Sequence, residues 1–118
     1  MTTESTAALA AEFTLACPEA DVPHGGAVIT KTVNGKSVAL ARRSDTDDTV
    51  VAFDSRCPHY QAPLRFGRVV EGEIICPWHL FRFDTTTGAA LACDKSIMHL
   101  QTYAVRVADG NVYVGAAD

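Results

Sequence analysis

Apolar and polar residues alternate in short runs along this chain, and no long stretch keeps a 3.6-residue period. Phe13-Thr14-Leu15-Ala16-Cys17 alternates and predicts a first strand. Residues 18–26, punctuated by Pro23 and Gly25-Gly26, read as a loop. Residues 27–33 and 37–42 predict two strands joined by Asn34-Gly35, a strong two-residue hairpin signal. Residues 44–48 form a polar turn and 49–53 the next strand. Residues 67–70 and 73–75 are short strands on either side of Glu71-Gly72, and 85–88 is a turn. The last strands, 102–107 and 112–115, are joined through Asp109-Gly110-Asn111. Many short strands at close spacing predict an all-β, antiparallel sandwich or barrel. One stretch differs in character: residues 56–84 are rich in proline, aromatics and metal-binding side chains.

Size and charge narrow the possibilities. With 118 residues the chain makes one domain, too short for a second, catalytic one. Residues 1–12 are polar and alanine-rich and read as a flexible tail, with no basic leader pattern of a signal peptide. No apolar run approaches the roughly 18 to 20 residues needed to cross a bilayer, so a cytoplasmic protein is expected. A net charge of −4 and a pI near 5.4 argue against nucleic acid and suit a basic docking surface on another protein. In a reducing compartment Cys17 and Cys93 read as buried thiols rather than a disulfide. His24 and His99 have no partner at ligand spacing and read as surface residues, and the acidic run 45–48 as a solvated turn.

The chemistry lies in two knuckles. Cys57-Pro58-His59 is C-x-H, and Cys76-Pro77-Trp78-His79 is C-x-x-H. Two Cys and two His converging on one point can bind a metal centre. A structural zinc site usually pairs like with like, C-x-x-C facing H-x-x-x-H. Here each knuckle is mixed, and a mixed knuckle can give its Cys to one iron and its His to another. A mixed-ligand zinc staple is the alternative. Pro58 and Pro77 rigidify the knuckles.

The segments Cys57-Pro58-His59-Tyr60-Gln61-Ala62-Pro63-Leu64 and Cys76-Pro77-Trp78-His79-Leu80-Phe81-Arg82-Phe83-Asp84 resemble the Rieske iron–sulfur proteins, above all the small Rieske ferredoxins of aromatic-ring-hydroxylating dioxygenase systems. The resemblance implies a base of antiparallel strands with an inserted cluster-binding subdomain, here residues 56–84. It implies one 2Fe-2S cluster held by Cys57, His59, Cys76 and His79. Many relatives carry Gly where this chain has Gln61 and Leu80, which bears on loop conformation rather than ligation. Residues 87–93 resemble the family's third, covering loop, but Cys93 is followed by Asp94 and not by proline.

The implied function is one-electron transfer from a flavin-containing ferredoxin reductase to a terminal oxygenase, by a carrier that is not itself an enzyme. Its size and charge are compatible with a monomer. After His59 and His79 only His24 and His99 remain, too few for the two-His, one-carboxylate iron site of an oxygenase. A small Rieske subunit of an assimilatory nitrite reductase is the alternative. High-potential Rieske proteins add a disulfide and two hydroxyls around the cluster. The matching positions here are Ala62 and Trp78, then Phe81 and Phe83. Fewer hydrogen bonds to sulfur leave the reduced state less stabilised, so a potential near the bottom of the family's range of roughly −150 to +300 mV is expected.

Overall fold

The computed structural model describes residues 13–58, 61–77, 82–91 and 99–117. The described residues form nine strands and two single 3₁₀ turns. The strands are β1 (Thr14–Pro18), β2 (Ile29–Val33), β3 (Lys36–Arg42), β4 (Val50–Asp54), β5 (Arg68–Val70), β6 (Glu73–Ile75), β7 (Arg82–Asp84), β8 (Thr102–Ala108) and β9 (Asn111–Ala117).

Six of them make one antiparallel sheet in the order β1-β9-β8-β4-β3-β2. Its two ends approach each other. Asn34, just after β2, donates from Nδ2 to Thr14 Oγ1 on β1 at 2.7 Å. The sheet thus curls into a nearly closed barrel filled by Cys17, Val22, Val33, Val38, Leu40, Val50, Ala52, Val112 and Val114. The expected all-β architecture is therefore present.

Three hairpins share one turn chemistry. Asn34-Gly35, Glu71-Gly72 and Asp109-Gly110 each place two successive residues at positive φ, +50 to +79°. This is the type I′ pattern that matches the twist of the flanking strands. The last turn is two residues and not three, because Asn111 already pairs with Ala108.

Strands β3 and β4 are buried on both faces over 38–41 and 50–53, as the apolar runs there require. Leu40 and Ala52 point into the barrel. Ala39, Ala41, Val51 and Phe53 point the other way, into a second core. That core is covered by the excursion the chain makes between the paired strands β4 and β8, residues 55–101, which contains all of 56–84. Within it β5, β6 and β7 form a small separate sheet, β7 being a strand that the sequence pattern did not reveal. Gly26 sits where β5 meets the loop before β2: Val69 N–H donates to its carbonyl at 2.8 Å, and a Cβ there would strike Val69 O.

Arg42 is 5% exposed at the end of β3. Its guanidinium reaches Glu19 Oε2 at 3.1 Å and the carbonyls of Glu19, Val22 and Asp48 at 3.0 to 3.3 Å. It thereby ties the 3₁₀ turn Glu19–Asp21 and the β3–β4 turn to the barrel.

Candidate metal centre

The first knuckle leaves β4 through Ser55 and Arg56. It then folds back on itself. Cys57 N–H donates to Ala62 O at 2.9 Å, Gln61 N–H to Cys57 O at 2.8 Å, and Leu64 N–H to Ser55 O at 2.8 Å. These bonds make a tight turn that holds Cys57 at its root. Gln61 sits at φ +60°, the left-handed region that costs an ordinary residue about 1–2 kcal/mol. Glycine takes this conformation at no steric cost, so this turn carries Gln61 where glycine fits most easily. The Gln61 carbonyl also accepts from Arg56 Nη1 at 3.3 Å, which helps hold the strained residue.

The second knuckle follows β6 directly, so the β5–β6–β7 sheet sets the position of Cys76. A turn after β7 braces this sheet. Asp84 Oδ1 accepts the N–H groups of Thr86 and Thr87 at 2.7 and 3.0 Å, and Gly88 N–H donates to Asp84 O at 2.8 Å. Gly88 has φ +81° and pairs with Leu100, and a Cβ at position 88 would collide with Leu100 O. The sequence reading of 85–88 as a turn holds, and Asp84 is the residue that shapes it.

Cys57 and Cys76 are both 0% exposed and belong to the same buried cluster. Around them lie Ala62, Leu64, Ile74 and Phe83, all fully buried. Ala62 and Phe83 are the positions where high-potential relatives carry a cysteine and a hydroxyl, and here neither brings a polar atom. Two sulfurs shielded from water on neighbouring turns fit the thiolate end of an iron–sulfide centre, since soft thiolates select such iron. Among the described residues no three of His, Cys, Asp and Glu converge on one point. His59 and His79 lie outside the described residues, as do Tyr60, Trp78, Leu80, Phe81 and Cys93.

The remaining cysteine and histidines that are described lie elsewhere. Cys17 is a free thiol buried in the barrel interior, and the burial is as expected. Its burial pushes the thiol up from its ordinary range, against the opposing charge of Lys31. His24 and His99 are exposed, and His24 lies 3.3 Å from Asp48.

Residues 12–104 match the family described as Rieske [2Fe-2S] domain. The chain belongs to the Rieske family. Among its relatives is the ferredoxin component of the naphthalene 1,2-dioxygenase/salicylate 5-hydroxylase systems of a Ralstonia species. That protein is 38% identical over 87 residues, covering 74% of this chain and 79% of the relative. The ferredoxin of carbazole 1,9a-dioxygenase from Nocardioides aromaticivorans IC177 superposes with a TM-score of 0.76 at 28% identity, over 88% of this chain and 97% of that one. A complex of reduced oxygenase and oxidized ferredoxin in carbazole 1,9a-dioxygenase aligns with a TM-score of 0.73 at 26% identity, over 87% of this chain and 92% of the matched one. This Rieske protein is accordingly built around one 2Fe-2S cluster with two Cys and two His ligands, which removes the zinc-staple reading. Likeness to ferredoxin components over most of their length makes it an electron carrier and not the oxygenase itself. Among the described residues no helix is long and apolar enough to cross a membrane.

Sequence reasoning missed Arg42, Ser55 and β7. Arg42 directly follows the buried apolar run 38–41, and a charge at that place was the signal available for it.

Proposed function

We propose that Cys57, His59, Cys76 and His79 hold the cluster within a subdomain spanning residues 56–84. The chain carries single electrons in the cytoplasm from a flavin-containing reductase to the terminal oxygenase of an aromatic-ring-hydroxylating system. The observation that carries this reading is the complete burial of Cys57 and Cys76 in one core. When bound, the cluster takes up one electron and gives it back without bond rearrangement in a substrate. The chain does the rest. The Cys57 and Cys76 turns keep water from the sulfurs, and the hydrogen-bonded turn 57–62 fixes the first knuckle against reorganisation. Fully buried Ala62 and Phe83 offer the cluster no hydroxyl or thiol, which supports a potential low in the family's range.

Anaerobic purification tests the site. We expect a red-brown protein with two irons and two labile sulfides per chain, and Cys57→Ser or His79→Ala should abolish the visible absorbance. A colourless protein holding one zinc would refute the ligand set. Reconstitution tests the role. Electrons should pass to a naphthalene-dioxygenase-type oxygenase when a flavin reductase and NADH are supplied. Delivery to an assimilatory nitrite reductase instead would favour the alternative.

A further inference from the structure

The chain is acidic overall, yet from Ser55 to Val70 it carries Arg56, Arg65 and Arg68 and no carboxylate. This is the stretch that contains the first knuckle. The ion pairs seen among the described residues use Arg42, Arg43, Arg82 and His24. None of the three arginines of this stretch is paired with a carboxylate among those residues. Arg56 donates to the Gln61 carbonyl, Arg68 to the Gly25 carbonyl, and Arg65 lies over the Phe66 ring at 4.7 Å. Phe66 itself is 66% exposed, the most exposed large apolar side chain among the described residues.

Arg56 and Arg65 face one groove, whose other walls are Thr30, Ser37, Ser55 and Pro63. Its floor is unusual. Ser55 is 8% exposed, and its hydroxyl has no hydrogen-bond partner among the described residues. A hydroxyl that bonds no protein group among the described residues is left free to donate to a group entering the groove. The groove holds about 90 Å³. That is a few water volumes, room for a carboxylate, and well short of the roughly 300 Å³ of a small-molecule pocket. Asp54 accepts the Arg56 N–H on its Oδ1 at 3.1 Å and lines the adjoining groove, where Lys36 is its neighbour.

We infer that this groove receives a carboxylate side chain of the terminal oxygenase. Arg56 and Arg65 bind the charge, Ser55 donates the hydrogen bond, and Phe66 packs against the partner's surface. The inference rests on the function proposed above. It places a basic contact on an otherwise acidic carrier, at the root of the knuckle that holds Cys57. Docking there seats the partner at the root of the Cys57 knuckle, and the net negative charge of the chain disfavours approach of a carboxylate elsewhere.

The test uses cluster-loaded ferredoxin, reduced chemically and mixed with the oxygenase that accepts its electrons in the reconstitution. Arg65→Glu should lower the second-order transfer rate about 10-fold at low salt, and the gap should close near 0.5 M salt. Arg65→Gln should fall between. Ser55→Ala should weaken binding of the two proteins, measured calorimetrically, about 10-fold with little salt dependence, because it removes a hydrogen bond to a charge rather than a field. Arg106→Glu, the same charge change on β8, should alter the rate less than about 3-fold. All variants should keep the wild-type absorbance spectrum and midpoint potential. Wild-type rates and salt slopes in both Arg65→Glu and Ser55→Ala would overturn the inference alone. So would an equal slowing by Arg106→Glu. A wild-type protein with an intact cluster that passes electrons to no oxygenase would overturn the function and the inference together.

Discussion

The barrel and the excursion that carries the two cysteines are built from the same antiparallel hairpins, but they are held by different means. In the barrel β3, β8 and β9 are seven residues long, and the interior is filled with aliphatic side chains. In the excursion each strand has three residues, the short end of the usual range, so the small sheet depends on packing against its neighbours. Its core is shared: the back of β3 and β4 supplies Ala39, Ala41, Val51 and Phe53, and two of its central members are Cys57 and Cys76. The barrel closes on its own residues. The excursion is closed by the barrel below it and, on the function proposed above, by a cluster held on the two sulfurs.

Removing the cluster should therefore break the molecule unevenly, and this is the largest effect expected. Metal-site binding energy is folding energy for the elements it joins. After chelation, or in Cys76→Ala, amide exchange in residues 61–77 and 82–91 should quicken on the order of 100-fold or more, while β8 and β9 change far less. Uniform acceleration across both regions would show that the comparison is false.

Two core truncations sharpen it further. Phe53 is fully buried and faces the excursion, whereas Leu40 is fully buried and faces the barrel interior. Phe53→Ala should cost about 3–5 kcal/mol and Leu40→Ala about 2–5 kcal/mol in urea unfolding. The totals overlap, but the spectra should not. Phe53→Ala should broaden or bleach the cluster absorbance, and Leu40→Ala should leave it intact until the protein unfolds. Arg42 comes next. Its guanidinium serves three carbonyls and the Glu19 carboxylate, so Arg42→Ala should cost about 1.5–3 kcal/mol, without moving the cluster spectrum. Glu19→Gln should cost under about 1 kcal/mol, because that carboxylate is 40% exposed and Arg42 keeps its carbonyl partners.

The same division governs what could be read from the sequence. In the barrel, alternating apolar residues and the pairs Asn34-Gly35 and Asp109-Gly110 announce strands and turns that appear within a residue or two of where the pattern puts them. Local rules suffice there because each hairpin satisfies its own backbone. The two knuckle cysteines stand out by spacing, since Cys57 and Cys76 each head a short knuckle, and both lie in one core. Strand β7 was not legible, because Arg82-Phe83-Asp84 is too short for a period and owes its shape to pairing with β6. Gln61 at positive φ was not legible either, since nothing in its side chain asks for that backbone. The turn closed by Cys57 and Ala62 imposes it. The role of Arg42 depends on carbonyls some 20 residues away, a relation that no local pattern carries.

The smallest predicted effect tests the barrel's self-sufficiency through pH. The β3–β4 turn is tied by Asp47. Its carboxylate accepts from the Thr49 hydroxyl at 2.5 Å and the Thr49 N–H at 3.1 Å, and meets Arg43 Nη1 at 3.1 Å. The Thr49 bonds, with Arg43 adding to them, hold this acid below its ordinary range. A carboxyl whose folded pKa is depressed contributes stability that is complete above its unfolded pKa, near 3.9, and is lost as pH falls through the folded value. Asp47→Asn should therefore be less stable than wild type at pH 6 to 7, and the gap should narrow below about pH 4. Each pair is measured at one pH, so acid damage to the cluster weighs on both proteins alike. A gap that stays constant down to about pH 2.5 would mean that Asp47 acts on the turn without its charge, and no gap at any pH would mean that the backbone alone holds it.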